Sequence, residues 1–261
     1  MNIIVCVKQV PATTNVQIDP QTGRIIREGV EAIINPFDEY ALEEGIRLKE
    51  KFGGKVTAIS MGPAQVETAL RECIARGADE TILLSDTNFA GADTLATAYT
   101  LACAIKKLAP YDLIVCGKQA IDGDTAQVGP GVAEKLGIPH VCYVRKIREI
   151  KDGSIWVERL MEDGYDILFT SLPALITVVK EVNVPRLPSL RGMTKAKKAK
   201  INIWNAETIS AEKNRIGLTS SPTTVKKVFT PPTRSGGETV AGPPEEQAKI
   251  LVTKLKELKI L

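Results

Sequence analysis

One histidine, His140, is all that the 261-residue chain contains. Zinc sites built on imidazole, and Ser-His or Cys-His nucleophiles, therefore lose most of their possible members. Aromatic residues make up only 5% and none interleaves with a basic cluster, so a stacking platform for single-stranded nucleic acid lacks its parts. Charge of one sign is missing too. Lys and Arg number 34 against 31 Asp and Glu, a balance of +3, which makes no general polyanion binder, and nucleic acid is not the expected partner. No run approaches the roughly 18 consecutive apolar residues of a membrane span. Met1-Asn2-Ile3 enters a strand-like segment with no basic, cleavable leader, which gives the expectation of a soluble cytoplasmic protein. The five cysteines form no C-x-x-C pair, and four lie in apolar runs where a thiol acts as a small hydrophobe, so they read as buried free thiols with no metal centre. Neither G-x-G-x-x-G nor G-x-x-x-x-G-K-[ST] occurs.

What is present is a rhythm. Apolar residues make up 44%, enough for one or two real cores. Up to about residue 140, short β-branched runs (Ile3–Val7, Lys55–Ser60, Glu80–Leu84, Leu113–Cys116) alternate with segments of helical period. Asn35-Pro36 opens one helix, with Asn as N-cap and Pro at the first helical position; Asp93-Thr94 caps another; Gly129-Pro130-Gly131 begins a third. A polar hairpin-like excursion turns at Asp19-Pro20-Gln21-Thr22-Gly23. Buried, non-alternating strands between helices imply a doubly wound α/β fold, a mostly parallel sheet with helices on both faces. Beyond 140 the turn dipeptides Asp152-Gly153 and Asp163-Gly164 join an additional antiparallel block, followed by the strand Leu175–Val179. Residues 183–193 hold two prolines and no period and read as an exposed loop. The expected division is an α/β domain over 1–218 and, over 219–261, a C-terminal extended arm ending in a helix whose Ala248, Leu251, Leu255 and Leu258 form a stripe suited to a partner subunit.

In open α/β sheets ligands bind at the carboxyl ends of the strands. The end of the fourth strand is the informative one: Gly117-Lys118-Gln119-Ala120-Ile121-Asp122-Gly123-Asp124-Thr125-Ala126-Gln127-Val128-Gly129. Small residues, carboxylates, a hydroxyl and amides there lead into a helix N-terminus, whose unpaired N–H groups and dipole favour a phosphate. Spacing alone leaves a capped αβ loop and a nucleotide site both open.

Four segments, Val-Cys-Val-Lys at 5–8, Asn-Pro-Phe-Asp-Glu at 35–39, Met-Gly-Pro-Ala-Gln at 61–65 and Gly-Lys-Gln-Ala-Ile-Asp at 117–122, resemble the β (small) subunit of electron transfer flavoproteins. Leu-Pro-Ala-Leu-Ile-Thr at 172–177, Pro-Arg at 185–186 and Lys-Ala-Lys-Lys at 195–198 continue the likeness in the family's order over nearly the whole chain. The resemblance implies a heterodimer with an α subunit that carries FAD, and an adenine nucleotide held by this chain. That pocket is lined by residues matching Cys6, Asn35, Pro36, Phe37, Asp38, Met61 and the loop from Gly117 to Gly129. No catalytic residue and no metal are implied.

Two nucleotides divide the family. Conventional members hold structural AMP; electron-bifurcating members hold a second FAD and oxidise NADH at it, sending electrons to the α-subunit FAD and to ferredoxin or flavodoxin. Ala126-Gln127, where conventional members carry Asn-Gln, resembles the bifurcating type, as does Gly91-Ala92-Asp93-Thr94-Leu95-Ala96-Thr97. Asp93, Thr94 and Thr97 join the candidate cofactor residues, the two hydroxyls sharing the first turn of a helix where a pyrophosphate or ribityl chain could lie. Capping alone would also explain them. Leu190 matches the family's anchor for an acyl-CoA dehydrogenase-type partner, although Leu187-Pro188 and Arg191-Gly192 depart from the pattern around it. The basic run Lys195, Lys197, Lys198 and Lys200 fits steering of an acidic redox partner. A conventional AMP-binding docking subunit is the alternative, and a stand-alone ATP-binding α/β protein the third reading.

Overall fold

Aliphatic and β-branched runs at the expected places become strands, and the periodic segments between them become helices. The computed structural model describes residues 1–12, 32–226 and 236–261, with the backbone of Gln17–Ile18 and Ile25–Ile26. The turn expected at Asp19-Pro20-Gln21-Thr22-Gly23 lies outside the described residues. In chain order the elements are β1 (Asn2–Cys6), β2 (Gln9–Pro11), β3 (Gln17–Ile18), β4 (Ile25–Ile26), β5 (Ala32–Ile34), α1 (Pro36–Phe52), β6 (Lys55–Met61), α2 (Glu67–Arg76), β7 (Glu80–Leu84) and α3 (Thr94–Lys106). There follow β8 (Leu113–Gly117), α4 (Val128–Leu136), β9 (His140–Lys151), β10 (Ser154–Leu160), β11 (Tyr165–Ser171), β12 (Ala174–Val178), α5 (Leu190–Lys198), β13 (Asn202–Trp204) and α6 (Pro244–Glu257).

Nine strands form one sheet in the order β11-β10-β9-β12-β8-β1-β6-β7-β13. From β9 to β13 every pairing is parallel, and β9-β10-β11 extends the sheet as an antiparallel meander. Both faces are covered, as buried non-alternating strands require. On one face Ile3, Val5, Val56 and Val115 pack with Leu42 and Ile46 of α1, Leu70 and Cys73 of α2 and Ala196 of α5. On the other, Ile4, Ile59, Ile82 and Ile114 pack with Ala98 and Ile105 of α3 and Val132 and Ala133 of α4. The chain winds outward through β1, β6 and β7, then crosses on the α3 face and returns to place β8 beside β1 on its other side. The winding direction thus reverses between β1 and β8, and a crevice opens there at the carboxyl ends.

Helix ends follow their sequence signals with one exception. α1 starts with Pro36 at its first position, carries Asp38 and Glu39 in the first turn and Lys49 and Lys51 in the last, and α2 stops at Gly77, whose φ of +136° suits only glycine. Asn35, however, does not cap α1 with its side chain. That amide is committed elsewhere.

Two segments differ from the sequence reading. The expected loop over 183–193 ends at Ser189, because Leu190–Lys198 is helical, with the Ser189 hydroxyl accepting from Gly192 N at 2.9 Å. Gly192 packs directly on the Ala75 carbonyl of α2, and Arg71 donates to the Ala196 and Ala199 carbonyls at 2.5 and 3.1 Å, so α5 is held by tertiary contacts while burying only Ala196 of its own side chains. β13, a three-residue edge strand beside β7, had no sequence signal.

Residues Met1–Lys226 form one compact unit and Lys227–Leu261 a second. Within the second, α6 begins at Pro244 and carries Glu245 and Glu246 in its first turn and Lys254 and Lys256 in its last. None of its side chains is buried, and Leu251 and, just past its end, Leu258 are 56% and 68% exposed.

Candidate functional site

The crevice between β1 and β8 is built by two side chains from the start of α1. Asn35 is fully buried; its Nδ2 donates to the Gln119 carbonyl at 2.8 Å and its Oδ1 accepts from Ile121 N at 3.0 Å. One amide thereby holds both polarities of the glycine-rich loop, which is why it is unavailable as a cap. Asp38, also buried, accepts from Lys8 N at 2.8 Å and from Gly117 N at 3.2 Å, tying the end of β1 to the end of β8. Burial raises its carboxyl to about 7, against the lowering effect of those N–H groups, the Asn35 side chain and the Lys8 charge. Gly117 cannot carry a side chain, since a Cβ would run into the Asp38 carboxylate and lie 2.6 Å from the Phe37 carbonyl carbon and 2.8 Å from Asp38 N.

Around this clamp the loop is polar and bent. Lys8 Nζ pairs with both Asp122 oxygens, at 2.6 and 2.8 Å, bridging the crevice. Lys118 Nζ lies 5.9 Å from the Phe37 ring centre and 5.5 Å from that of Tyr143, within cation–π range. Gln119 donates to Asp124, and Asp124 and Ala126 both adopt φ of +55°, a left-handed conformation that costs about 1 kcal/mol or more in a residue with a Cβ. Gly123 lies exposed with nothing near a notional Cβ. The loop then enters α4, whose Gln127 makes no side-chain cap, so the amides of that first turn have no capping side chain of their own.

The start of α3 is different. Asp93 accepts from Leu95 N at 3.0 Å and Ala96 N at 3.1 Å, and also from Thr223 N and Oγ1 at 3.1 and 2.8 Å. A carboxylate already occupies the helix end where an anion would go. Thr94 Oγ1 reaches across to Gln127 Oε1 at 3.0 Å, joining α3 to the glycine-rich loop, and Thr97 lies half-buried one turn on. The expected cap is therefore present at Asp93, and what α3 presents besides it is a pair of hydroxyls.

Cys6, Asn35, Pro36, Phe37, Asp38 and the loop from Gly117 to Gly129 thus meet at one sheet edge, with Thr94 attached through Gln127. Met61 lies across a cleft of about 880 Å³ that it lines together with Asp122. Lys8, Gln9, Gly62–Val66, Thr68, Ser85–Thr87 and Phe89–Ala92 line the same cleft and were absent from the candidate set. Applying the strand-end rule to β7, which runs into Ser85-Asp86-Thr87, would have found the last group.

An electron transfer flavoprotein domain matches residues 22–209. The electron transfer flavoprotein subunit beta of Thermoanaerobacterium thermosaccharolyticum is 53% identical over 262 residues, covering 100% of both chains. The chain belongs to the electron transfer flavoprotein family, as a β subunit. The caffeyl-CoA reductase-Etf complex subunit CarD of Acetobacterium woodii is 50% identical over 100% of both chains, and protein FixA of Bradyrhizobium diazoefficiens is 44% identical over 97% of this chain and 90% of its own.

Electron transfer flavoproteins work with flavin and AMP, and their β subunits pair with an α subunit. The residues present fit such a group: the α4 amides and the glycine-rich loop suit a phosphate, and the cleft beyond Met61 offers room for more. In this β subunit the segment before α5 is also firmly set. Arg186 pairs bidentately with Glu43 (2.8 and 3.0 Å) and with Glu50 (2.6 and 2.9 Å), and Asn183 Nδ2 donates to the Tyr40 carbonyl and to Glu44. Val184, Leu187 and Leu190 project from it 87%, 84% and 82% exposed, so the apolar surface there is a cluster, of which sequence reading named only Leu190. Among the described residues no helix is long and apolar enough to cross a membrane.

Proposed function

We propose that this β subunit holds a complete FAD in the crevice between β1 and β8, and works in flavin-based electron bifurcation. The α4 start, the Gly117–Gly129 loop, Cys6 and the Asn35–Asp38 segment take the adenine nucleotide; Thr94, Thr97 and the cleft past Met61 take the remainder. Bound there, a flavin would supply hydride acceptance from NADH and one-electron transfer toward the FAD of the α subunit and toward ferredoxin or flavodoxin. The chain's own residues bind, orient and exclude water. Asp38 and Asn35 fix the loop, and Lys8 places a positive charge over it. No side chain is needed as acid or base, because hydride transfer moves the proton with its electrons.

The observation that carries this reading is the cleft itself. Its 880 Å³ lies near the top of the roughly 300–1,000 Å³ range of ligand clefts; it adjoins the crevice at Lys8 and Asp122 and runs from there to the ends of β6 and β7. A mononucleotide seated on the Gly117–Gly129 loop leaves that adjoining cleft free for the rest of a dinucleotide. Relatives that include CarD and FixA support the same reading. The exposed Val184, Leu187 and Leu190 dock an acyl-CoA dehydrogenase-type enzyme in the cytoplasm. Residues 219–261 reach the α subunit, where the uncovered apolar side chains of α6 find their contact. The test is to purify the αβ complex and count flavins: two FAD per heterodimer is the expected result. One FAD and one AMP would refute the second flavin and leave the docking subunit that Asp93, already filling the α3 helix end, would favour.

A further inference from the structure

Four polarizable or hydroxylic side chains stand in a row across the carboxyl edge of the sheet, on the face covered by α3 and α4. Cys6, the last residue of β1, is in register with Cys116 of β8, and Cys116 with Thr177 of β12. The Thr177 hydroxyl accepts from Tyr143 N at 3.1 Å, and Cys142 precedes Tyr143 on β9. Gly129, in the first turn of α4, closes over the row: a Cβ there would lie 2.7 Å from Thr177 Cγ2 and 3.8 Å from Cys116 Cβ.

The first pair has the geometry of a dithiol. In-register neighbours on adjacent strands stand about 4.8 Å apart, inside the roughly 4.4–6.8 Å Cα separation that a disulfide spans. Both side chains point to the same face, where they pack with Ile4 and Ile114. Their exposures differ usefully, Cys6 being half-buried at the mouth of the crevice and Cys116 only 6% exposed. Cys116 is held protonated by its contact with the Cys6 sulfur and by burial, so it does not begin an exchange reaction. Cys73 supplies the contrast. It belongs to α2 and is buried against the opposite face of the sheet.

We propose that Cys6 and Cys116 are a reversible redox modification site, closing to a disulfide that joins the ends of β1 and β8 beneath the glycine-rich loop. The oxidant is a low-molecular-weight disulfide. The Cys6 thiolate attacks one of its sulfurs, forming a mixed disulfide and expelling one thiolate; Cys116, losing its proton to that thiolate, attacks the Cys6 sulfur and expels the second. Two protein thiols are oxidised by two electrons, and one small disulfide is reduced to two thiols. The bond would lock together the two strand ends that Asp38 otherwise joins only by hydrogen bonds, so the nucleotide crevice carries its own sensor of thiol redox poise. Cys6 lines that crevice, so the exchange requires the nucleotide, whichever it is, to have left.

The experiment uses the αβ complex as purified and, in parallel, after its nucleotide has been released by repeated dilution and concentration; the joined pair is expected in the second sample. Each is incubated with oxidised glutathione, quenched in acid, alkylated under denaturing conditions without reductant, digested and read by mass spectrometry. The expected result is a peptide pair joined through Cys6 and Cys116, lighter by two hydrogens than its separate parts and split again by dithiothreitol, with Cys73 recovered alkylated. In Cys6→Ser the joined pair disappears and Cys116 is recovered alkylated. In the nucleotide-depleted complex, recovery of both wild-type cysteines as free thiols, or of each with its own glutathione, would overturn the proposal, as would a joined peptide linking Cys116 to Cys142.

Discussion

Replacing Asp38 by asparagine isolates a carboxyl group that the fold buries at a cost. Its value in the folded chain is about 7, against an ordinary 3.8. Between those two values the folded chain keeps a proton that the unfolded chain has released, so the group contributes stability that is full below about pH 4 and is lost as pH rises through about 7. The whole difference corresponds to about 4 kcal/mol, of which about 2.5 kcal/mol falls between pH 5 and pH 8. The asparagine variant lacks this pH dependence. Its amide has one acceptor for the two donors Lys8 N and Gly117 N and turns an NH2 toward the other, a pH-independent loss of about 1–3 kcal/mol. Wild type should therefore exceed Asp38→Asn by most at pH 5, and the gap should shrink by about 2.5 kcal/mol by pH 8. Urea denaturation of the αβ complex at fixed protein concentration, in both forms at each pH, measures the gap while other carboxylates cancel. A gap that stays constant, or that widens with pH, would refute the reasoning, because widening means that the two N–H groups outweigh desolvation and that the carboxylate is the favoured form.

Two further substitutions read the loop and the docking surface. Gly117→Ala should lower stability by about 1–3 kcal/mol or more, since backbone atoms of Phe37 and Asp38 stand where the methyl must go, and should reduce the nucleotide content of the complex; Gly123→Ala, with no protein atom near its Cβ, should leave stability unchanged. Thermal melting and nucleotide release on denaturation check both. Leu190→Ala should weaken partner-dehydrogenase docking about tenfold, close to 1.4 kcal/mol, and leave cofactor content unchanged. Electron transfer measured at limiting dehydrogenase shows the loss, and an unaltered rate would count against a docking role for this surface.

How much of this was legible in the sequence depended on the range of the interactions involved. Strands β1, β6, β7 and β8 announce themselves because each is a local run of buried aliphatic residues, and the turns of the β9–β11 meander because Asp-Gly dipeptides carry their own backbone preference. α5 was hidden because what holds it is remote: Arg71 and the Ala75 carbonyl on α2 grip a segment that buries one side chain, and two prolines just ahead of it argue locally for a loop. Asn35 was misread for the same reason. Asn before Pro at a helix start is the signature of a cap, and nothing within reach in sequence reveals that its amide partners are Gln119 and Ile121, more than eighty residues on. Lys8 falls in the Val-Cys-Val-Lys segment yet is not among the candidate residues, because its importance rests on Asp122 standing opposite.

The strand order explains why those long-range partners converge on this place. Sequence supplies a series of strands but not the side to which each is added; that is decided by which face each connecting helix buries. α1 and α2 cover one face and carry the chain outward from β1, whereas the alanine-rich α3 covers the other and brings it back to β8. The reversal leaves β1 and β8 adjacent, with their exit loops diverging and their terminal N–H groups, those of Lys8 and Gly117, facing a gap. A buried gap of that kind needs acceptors, since unpaired backbone donors there would each cost about 1–3 kcal/mol. The start of α1 is the nearest backbone and brings Asp38 to those donors and Asn35 to the loop beyond. The carboxylate is thus demanded by the topology before any ligand arrives, and a crevice that must keep its loops apart by buried polar contacts is already shaped to receive a nucleotide.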